Sequence, residues 1–567
     1  MIENLPPGMV LILGALLVPL LRGRVAALYM LALPVLGLAQ LLALPDQHGL
    51  TLEFLGYELQ PVRVDRLSRI FGIIFYLAAF LSVLYSLHVK DRIQQVSGLA
   101  YAGAGIGAVF AGDLITLFVY WELTAITSVF LIWASRTEAA NRAGLRYLVV
   151  QVLSGVLLLA GAIMHYEESG SLAFGHLGLG STGTQLIFLG FGIKAAFPLL
   201  HNWLQDAYPQ ATPTGTVFLS AFTTKLAIYA LARGYAGTDI LIPIGAAMTA
   251  FPIFFAVLEN DLRRVLAYSL NNQLGFMVVG VGIGTELAIN GTAAHAFAHI
   301  LYKALLFMTM GAVLHRTGTT KATDLGGLYK SMPWTTFFCL IGAASISAFP
   351  LFSGFVSKSM ILTAAAEEHH LGAFLVLLFA SAGVLHHSGI KIPFYGFFGH
   401  DRGLRTREAP WNMLLAMGGA AALCVGLGIW YEPLYALLPF SVDFVPYNMT
   451  HVVTQLQLLF FALAAFIFMY KAHLEPPEIR AIHLDSDWFY RRAGKRLVLS
   501  LGVGVQSLWA SLTGTAVAVA YGLGGMVARA HKPGGPVGEP LPSGKSALWA
   551  ALLLFAFLAL ALFFSDF

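Results

Sequence analysis

Apolar runs of helical length alternate with short polar breaks, marked by Gly and Pro, along almost the whole chain. A bilayer-spanning helix takes about 20 mostly apolar residues. On that scale the runs predict spans near 8–22, 25–44, 67–88, 95–112, 113–134, 143–165, 184–200, 214–233, 238–257, 264–282, 287–314, 336–362, 372–398, 411–431, 453–471, 497–527 and 546–564. These are about seventeen helices and roughly 340 residues, so most of the chain is expected to lie in a membrane. The pattern is least regular over 472–545, where the charged amphipathic stretch EPPEIRAIHLDSDWFYRRAGKR precedes a long Gly-bearing apolar run and the linker HKPGGPVGEPLPSGK. That region fits either one long span or a helix along the membrane surface, and the second choice moves the C-terminus to the other side.

Composition agrees. Of 567 residues, 58% are hydrophobic and 11% charged, against about 25% charged in ordinary soluble domains, which excludes a soluble globular protein. The net charge of +4 is spread over loops and gives no reason to expect nucleic acid. With the loops assigned alternately to two sides, about 21 Lys and Arg fall on the side of the first hairpin loop (Arg22, Arg24) and about 7 on the other. The richer side is expected to be cytoplasmic and the N-terminus external, in a bacterial cytoplasmic membrane. The opening MIENLPPGMV lacks the basic region of a cleavable signal, so the first helix is expected to remain. Cys339 and Cys424 lie far apart in apolar runs, which argues against a metal cluster or a disulfide framework.

A weak internal repeat crosses the middle of the chain. GFGIKAAFPLLHNWL places Lys194 beside a proline, with Lys225 in the next span; AFPLFSGFVSKSM places Lys358 beside a proline, with Lys391 in the next span. Two such halves, five spans apart and therefore inverted, are the sequence signature of inverted-repeat transporters. The expected organisation is N-terminal helices and an external loop over 1–94, a first repeat over 95–235 and a second over 236–400. Core helices follow over 401–475, then an amphipathic segment with further membrane helices over 476–567.

Five lysines (Lys194, Lys225, Lys303, Lys358 and Lys391) and Glu122 fall inside apolar segments. A charge at the bilayer centre costs roughly 2.5 to 3.5 kcal/mol, so five unpaired lipid-facing lysines would cost roughly 12 to 17 kcal/mol. They are expected to face the bundle interior, to pair, or to be neutral part of the time; a lysine near a helix end can instead snorkel, and Lys358 is the candidate for that. Burial disfavours an ammonium and a nearby carboxylate restores it, so a buried lysine with a movable carboxylate is a proton switch. His295, His299 and Lys303 recur every four residues on one helix face, and His387 and Lys391 repeat that spacing. Such imidazoles suit a proton relay, or else hydrogen-bonded packing. Two histidines alone make no zinc site without a third ligand, and none is expected. Asp113 and Glu122 stand about 13 Å apart along one helix, Asp113 near the interface and Glu122 deeper. His201 and Asp206, just past Pro198, are candidates to line a water-filled access path, as is His387 for an accessory role; Arg142 and Arg146 read as membrane anchors.

No iron–sulfur CxxC pair, P-loop or dinucleotide fingerprint is present, and the glycine runs GAGIGAVFAG and GVGIG sit in apolar helices, where small residues let helices approach. The chain is expected to need no cofactor and to be no enzyme by itself, its driving energy coming from an ion gradient or a partner.

The segments DLITLFVYWELT, GFGIKAAFPLLHNWLQDAYPQATPTG, ENDLRRVLAYSLNNQLGFM, HAFAHILYKALLFMTMGAVLH and FPLFSGFVSKSMIL, spread over residues 95–400, resemble the antiporter-like proton-channel subunits of respiratory complex I, membrane-bound hydrogenases and Mrp-type cation/proton antiporters. The resemblance implies a fold of about fourteen core helices in two inverted five-helix units, with the seventh and twelfth broken. It further implies that Glu122 is the carboxylate modulating Lys194, that Lys225, His299 and Lys303 continue the relay, and that Lys358 ends it on the second broken helix. Lys391, in IKIPFYGFFG, resembles a lysine of the Mrp D-type subunit and tilts the likeness that way. The chain departs from the family at WLQDA, where WLPDA is usual, in a proline one residue early after Lys194, and at Leu219, where some relatives carry histidine; beyond residue 475 the likeness gives no guide.

The expected function is a proton-translocating subunit of a multisubunit Na+/H+ antiporter, with H+ and Na+ as the candidate ions and other membrane subunits as partners. One alternative attaches the same pump to a redox-driven complex; another, of a different class, is a non-transporting scaffold, against which the retained buried charges argue.

Overall fold

Capping side chains and glycines set the ends of many of the helices. Asp65 and Ser68 form a reciprocal capping box, Ser181 and Thr184 another, and Asp113, Thr137, Thr285 and Asn448 each accept a first-turn backbone N–H. Gly170, Gly284 and Gly318 close three helices in the left-handed conformation. The computed structural model describes residues 5–474, 476, 478–480, 483, 485–538 and 542–564. Parts of the amphipathic stretch after 474 and of the linker before 545 lie outside the described residues.

In chain order the helices are α1 (Met9–Leu17), α2 (Gly23–Ala43), α3 (Arg66–Ser86), α4 (Arg92–Phe110), α5 (Leu114–Trp133), α6 (Glu138–Ser169), α7 (Thr182–Lys194) and α8 (Asn202–Ala207). They continue with α9 (Gly215–Ala221), α10 (Thr223–Gly234), α11 (Leu241–Leu258), α12 (Leu262–Ile283), α13 (Glu286–Thr317), α14 (Pro333–Ile346), α15 (Ser353–Glu367) and α16 (Leu371–Val384). The last are α17 (Lys391–Pro393), α18 (Trp411–Ile429), α19 (Glu432–Ala436), α20 (Met449–Lys471), α21 (Lys495–Ala530) and α22 (Ser543–Phe564). Twelve helical segments among the described residues are long and apolar enough to cross a membrane. The protein is thus an all-α, polytopic membrane protein, with one broken helix in each of the two halves that the sequence repeat predicts and extra C-terminal apolar helices.

One sequence expectation needs refinement. The loop between α2 and α3 contains an antiparallel hairpin, β1 (Gly49–Phe54) and β2 (Tyr57–Arg63), joined by Leu55 and Gly56, both at positive φ as in a type I′ hairpin turn. The seventh and twelfth predicted spans, 184–200 and 336–362, are broken as expected, into α7/α8 and α14/α15.

The chain packs as two units, Met1–Asp485 and Ser486–Phe567. In the first, α13 is the central post, 94% buried over its apolar window and packed against α3, α9, α12, α14, α15 and α18. Helices α11 and α12 approach closely because a Cβ at Gly245 would meet Gly275 O, and one at Gly275 would meet Gly245 O. The GAGIGAVFAG and GVGIG runs serve as expected: Gly103 faces the backbone of Gly8, and Gly282 faces the backbone of Ile242. In the second unit α21 is one continuous helix of 36 residues, followed by α22.

Candidate functional site

The site is built around two breaks that share a tetrapeptide. Ala196-Phe197-Pro198-Leu199 follows α7, and Ala348-Phe349-Pro350-Leu351 follows α14. In each, the Ala and the Leu are left-handed, with φ of 62° and 69° at the first break and 56° and 75° at the second. The backbone bonds repeat too: Phe197 N–H donates to Gly192 O and Phe349 N–H to Ala344 O, both at 3.0 Å. A proline cannot continue the helical ladder, and its neighbours turn the chain instead. The lysines, however, fall on opposite sides of the two breaks. Lys194 ends α7 before its break, whereas Lys358 lies on α15 after the second.

At the first break Lys194 is wholly buried. Its Nζ donates to Trp121 O at 2.6 Å and Thr124 Oγ1 at 2.7 Å, and lies 4.4 Å from the centre of the Trp121 ring. Trp121 is itself fixed: its indole donates to Ser154 Oγ, which donates to Gly190 O, tying α5, α6 and α7 together. Glu122 is the next residue on α5, yet none of the ion pairs among the described residues joins it to Lys194, and its Oε1 is buried without a hydrogen-bond partner. The carboxylate occupies a slot at Gly155, where a Cβ would overlap Glu122 Oε1.

Lys225 stands one turn past the discontinuity at Phe222 that separates α9 from α10, and its Nζ donates to Ser220 O at 2.6 Å. His299 on α13 is wholly buried, and neither ring nitrogen meets a protein partner. The charged groups facing it are Lys225, Lys303, His295 and Lys358. His295 lies 6.1 Å away, its ring tilted by 21°, and is bonded through Nδ1 to Ser357 Oγ at 3.1 Å and through Nε2 to Gln273 Oε1 at 3.2 Å. Among the described residues no His, Cys, Asp or Glu cluster of three could hold a metal.

From α13 a hydrogen-bonded line runs outward. Lys303 Nζ donates to Ser269 Oγ at 2.8 Å, Ser388 Oγ donates to the same oxygen at 2.7 Å, and Ser388 bonds His387 Nδ1 at 2.8 Å. Ser388 and His387 lie in a π-helical stretch, Leu385–Ile390, that runs directly into Lys391. Such widened turns re-aim side chains and recur at functional positions. Lys391 Nζ donates to Val257 O at 2.5 Å and pairs with Glu478 Oε1 at 2.9 Å. Lys358 is buried as well and does not snorkel; its Nζ donates to Ile346 O at 3.2 Å, the carbonyl end of α14, and lies 4.9 Å from the Phe276 ring centre.

The structure brings Lys225, His295, His299, Lys303, Lys358 and His387 to one buried region and sets Glu122 with Lys194 beside it. Asp113 is not part of that line. It caps α5, accepting from Thr116 N, Thr116 Oγ1 and Gln60 N. Asp206 is held by Arg146 in a two-point pair at 2.7 and 3.0 Å, so Arg146 does more than anchor. Arg142 pairs with Glu138 on the exposed side of α6. His201 is buried, and its Nε2 lies 3.1 Å from Asp485 Oδ2. Sequence patterns missed Gly155, Thr124, Ser269, Ser388, Glu478 and Asp485. A glycine or hydroxyl in a helix carries no periodic signal, and the two carboxylates lie in a stretch that reads as an amphipathic linker.

A family model described as NADH:quinone oxidoreductase/Mrp antiporter, TM, matches residues 111–385. The D-type subunit of the Na(+)/H(+) antiporter of Alkalihalophilus pseudofirmus OF4 is 34% identical over 359 residues, covering 59% of this chain and 72% of that protein. Hydrogenase-4 component B of Escherichia coli K12 is 28% identical over 428 residues, covering 66% of this chain and 63% of that protein. Among solved structures, a chain of the Mrp complex from Dietzia sp. DQ12-45-1b superposes with a TM-score of 0.71 at 22% identity, over 77% of this chain and 95% of that one.

Proposed function

The chain belongs to the NADH:quinone oxidoreductase/Mrp antiporter family of membrane subunits, and from that premise we propose that it carries protons across a bacterial cytoplasmic membrane within a multisubunit cation/proton antiporter. The observation that carries this reading is the line of five buried lysines and three buried histidines in one unit, centred on His299, whose two ring nitrogens have no protein partner. An imidazole so placed accepts a proton on one nitrogen and releases it from the other.

Protons load Lys194 or Lys225, pass by His299 and Lys303, and leave through Lys358 and Lys391. The separated Glu122 and Lys194 give the step its switch. At an effective dielectric of about 20, a carboxylate at 8 Å stabilises an ammonium by about 2 kcal/mol and one at 4 Å by about 4 kcal/mol. Bringing Glu122 from its slot at Gly155 onto Lys194 therefore favours the charged lysine. Retreat of the carboxylate releases the proton onward.

The test is pH-gradient quenching in inverted vesicles from a strain without its own antiporters, expressing this chain with its neighbouring genes. Sodium-dependent collapse of an imposed gradient, lost in Lys194→Ala with the protein still in the membrane, is the expected result; normal transport by that variant refutes the relay. The likeness to hydrogenase-4 component B favours one second reading, a redox-driven complex. It calls for gradient formation on adding an electron donor and no response to sodium.

A further inference from the structure

Three helices begin around one groove on the Lys- and Arg-rich side of the bundle. Its lining comes from the first turns of α2, α4 and α18 and from the turn after α3, and includes Gly23, Arg24, Lys90, Arg92 and Trp411. Leu28 and Leu31 carry it on along the face of α2 that Arg24 begins. The volume is about 760 Å³, which suits an organic ligand and exceeds what a single ion needs. The frame is fixed: Arg92 donates to Leu21 O and, at 2.9 Å, to Gln95 Oε1, while Asn412 donates to Leu84 O and Tyr85 O at 3.1 and 2.8 Å. Arg24 and Lys90 are exposed and, among the described residues, their side chains make no ion pair or hydrogen bond. The adjacent carboxylate, Asp91, is engaged by Arg136 at 3.2 Å and by the Ile93 N–H. Beyond Trp411 a second groove, apolar and about 510 Å³, follows α18. Trp411, Leu414, Leu415 and Gly418 recur on one helix face, with Trp334 and Phe338 opposite.

An arginine in the first turn of a helix opposes the macrodipole, and such an end favours an anion. Arg24 and Arg92 both sit there; α2, α4 and α18 have no acidic residue in the first turn, and α2 and α18 have no capping side chain. Trp334 and Trp411 are 60% and 66% exposed, as tryptophans at a bilayer interface are. Membrane topology asks for cations on this side, but not for a groove that leads from them onto two apolar faces where Leu28 and Leu415 stand exposed. We propose that the groove binds an anionic phospholipid from the leaflet on that side. Arg24, Lys90 and the starts of α2 and α18 hold its phosphate. Its acyl chains lie along Leu28 and Leu31 of α2 and along Leu414, Leu415 and Gly418 of α18. The uncompensated positive charge at the head of both apolar faces selects such a lipid over an apolar segment of a neighbouring protein. The site is separate from the buried lysines, so it stands whether or not they carry protons.

The experiment uses the full chain, purified in mild detergent with the products of its neighbouring genes. Native mass spectrometry follows titration with phosphatidylglycerol, with phosphatidylethanolamine, and with phosphatidylglycerol against excess inorganic phosphate. Wild type is expected to retain phosphatidylglycerol over phosphatidylethanolamine, and phosphate, which has no chains, is expected not to displace it. One basic residue near an anionic lipid is worth about fivefold in affinity, so the double variant Arg24→Gln, Lys90→Gln is expected to bind about 25-fold more weakly. Arg24→Lys is expected to bind like wild type, and Gly418→Leu, which fills the second groove, to bind less with the charges intact. Should the double variant fail to accumulate, added salt on wild type replaces it, with weaker binding expected from screening. Equal retention of the two lipids, or wild-type retention by the double variant, would overturn the proposal. Displacement by phosphate alone would show a simple anion site and overturn it too. A photoreactive residue in place of Leu415 is expected to capture phosphatidylglycerol; capture of a neighbouring subunit instead would show a protein interface and overturn the lipid assignment.

Discussion

Ala196 and Ala348 hold the same left-handed backbone, φ 62° and 56°, at the head of two identical AFPL tetrapeptides in oppositely directed broken helices. An L-residue in that conformation carries about 1–2 kcal/mol of strain. The surrounding bonds sustain it: Ala196 O accepts from Asn271 Nδ2 at 3.1 Å, and Ala348 N–H donates to Ser345 O. Glycine relieves the strain but adds disorder to the unfolded chain. Ala196→Gly and Ala348→Gly are therefore expected to melt within about 1 kcal/mol of wild type, and Ala196→Val, with a branched Cβ, well below. Thermal melts of the detergent-solubilised complex check this, and a valine variant as stable as wild type would contradict the assigned backbone.

Thr124 shares the Lys194 amino group with Trp121 O, and as an acceptor it favours that group's protonated form. Hydrogen bonds to charged groups contribute about 1.5–3 kcal/mol. Thr124→Val keeps the shape and removes the acceptor, so proton occupancy of Lys194 is expected to fall about 10- to 100-fold. Antiport in vesicles should drop accordingly, with Thr124→Ser restoring it.

Gly155 gives Glu122 its resting place. Gly155→Ala puts a methyl where Oε1 now lies and forces the carboxylate out of its slot. Coupled transport is expected to fall severely while the protein still inserts. The shorter Glu122→Asp in the same chain is expected to restore part of it. Failure of the double variant to exceed Gly155→Ala would mean that the slot does not act through Glu122.

The all-α membrane fold and the inverted halves were legible in the sequence because both rest on long-range patterns: hydropathy runs and a lysine beside a proline in each half. Seven of the eight relay candidates, the five lysines with His295 and His299, are at most 2% exposed, because an ionisable residue in an apolar run has few other places to go. What the sequence hid depends on contacts between distant segments. Asp113, read as an acid near the interface, caps a helix there, and Asp206, a candidate for an access path, is held by Arg146; neither contact shows in the sequence. The hairpin at 49–63 was hidden because its strands are mostly exposed and lack clean alternation. Glu478 and Asp485 were hidden because their contacts with Lys391 and His201 join residues far apart in the sequence.

His88, in the turn after α3, gives a pH test outside the spans. Burial first, then the neighbouring His315 ring at 5.0 Å, lowers its pKa to about 4. A histidine held neutral in the fold but free to protonate when unfolded contributes stability that is fully present above about 6.5 and declines as pH falls towards 4. Melting temperature is expected to fall over that window, and less so in His88→Gln. Parallel curves for the two proteins would show that His88 is not the group responsible.

Ser269 and Ser388 bear the sharpest prediction, because they are the only link among the described residues that joins Lys303 to His387 through hydrogen bonds. Ser269 Oγ receives from both Lys303 and Ser388, so the pair holds an amino group and an imidazole in one line across three segments of the chain. Each serine is small and wholly buried, and a neutral hydrogen bond contributes only about 1 kcal/mol to stability. Ser388→Ala should therefore leave folding nearly intact. If protons pass along this line, the alanine interrupts it and coupled transport falls by at least about tenfold, since proton transfer by a positioned group accounts for about 100-fold or more. Ser388→Thr keeps the hydroxyl and is expected to retain transport. Equal transport by the alanine and threonine variants would move the outward path from Lys303 to Lys358 alone, leaving His387 and Lys391 as packing residues of the second half.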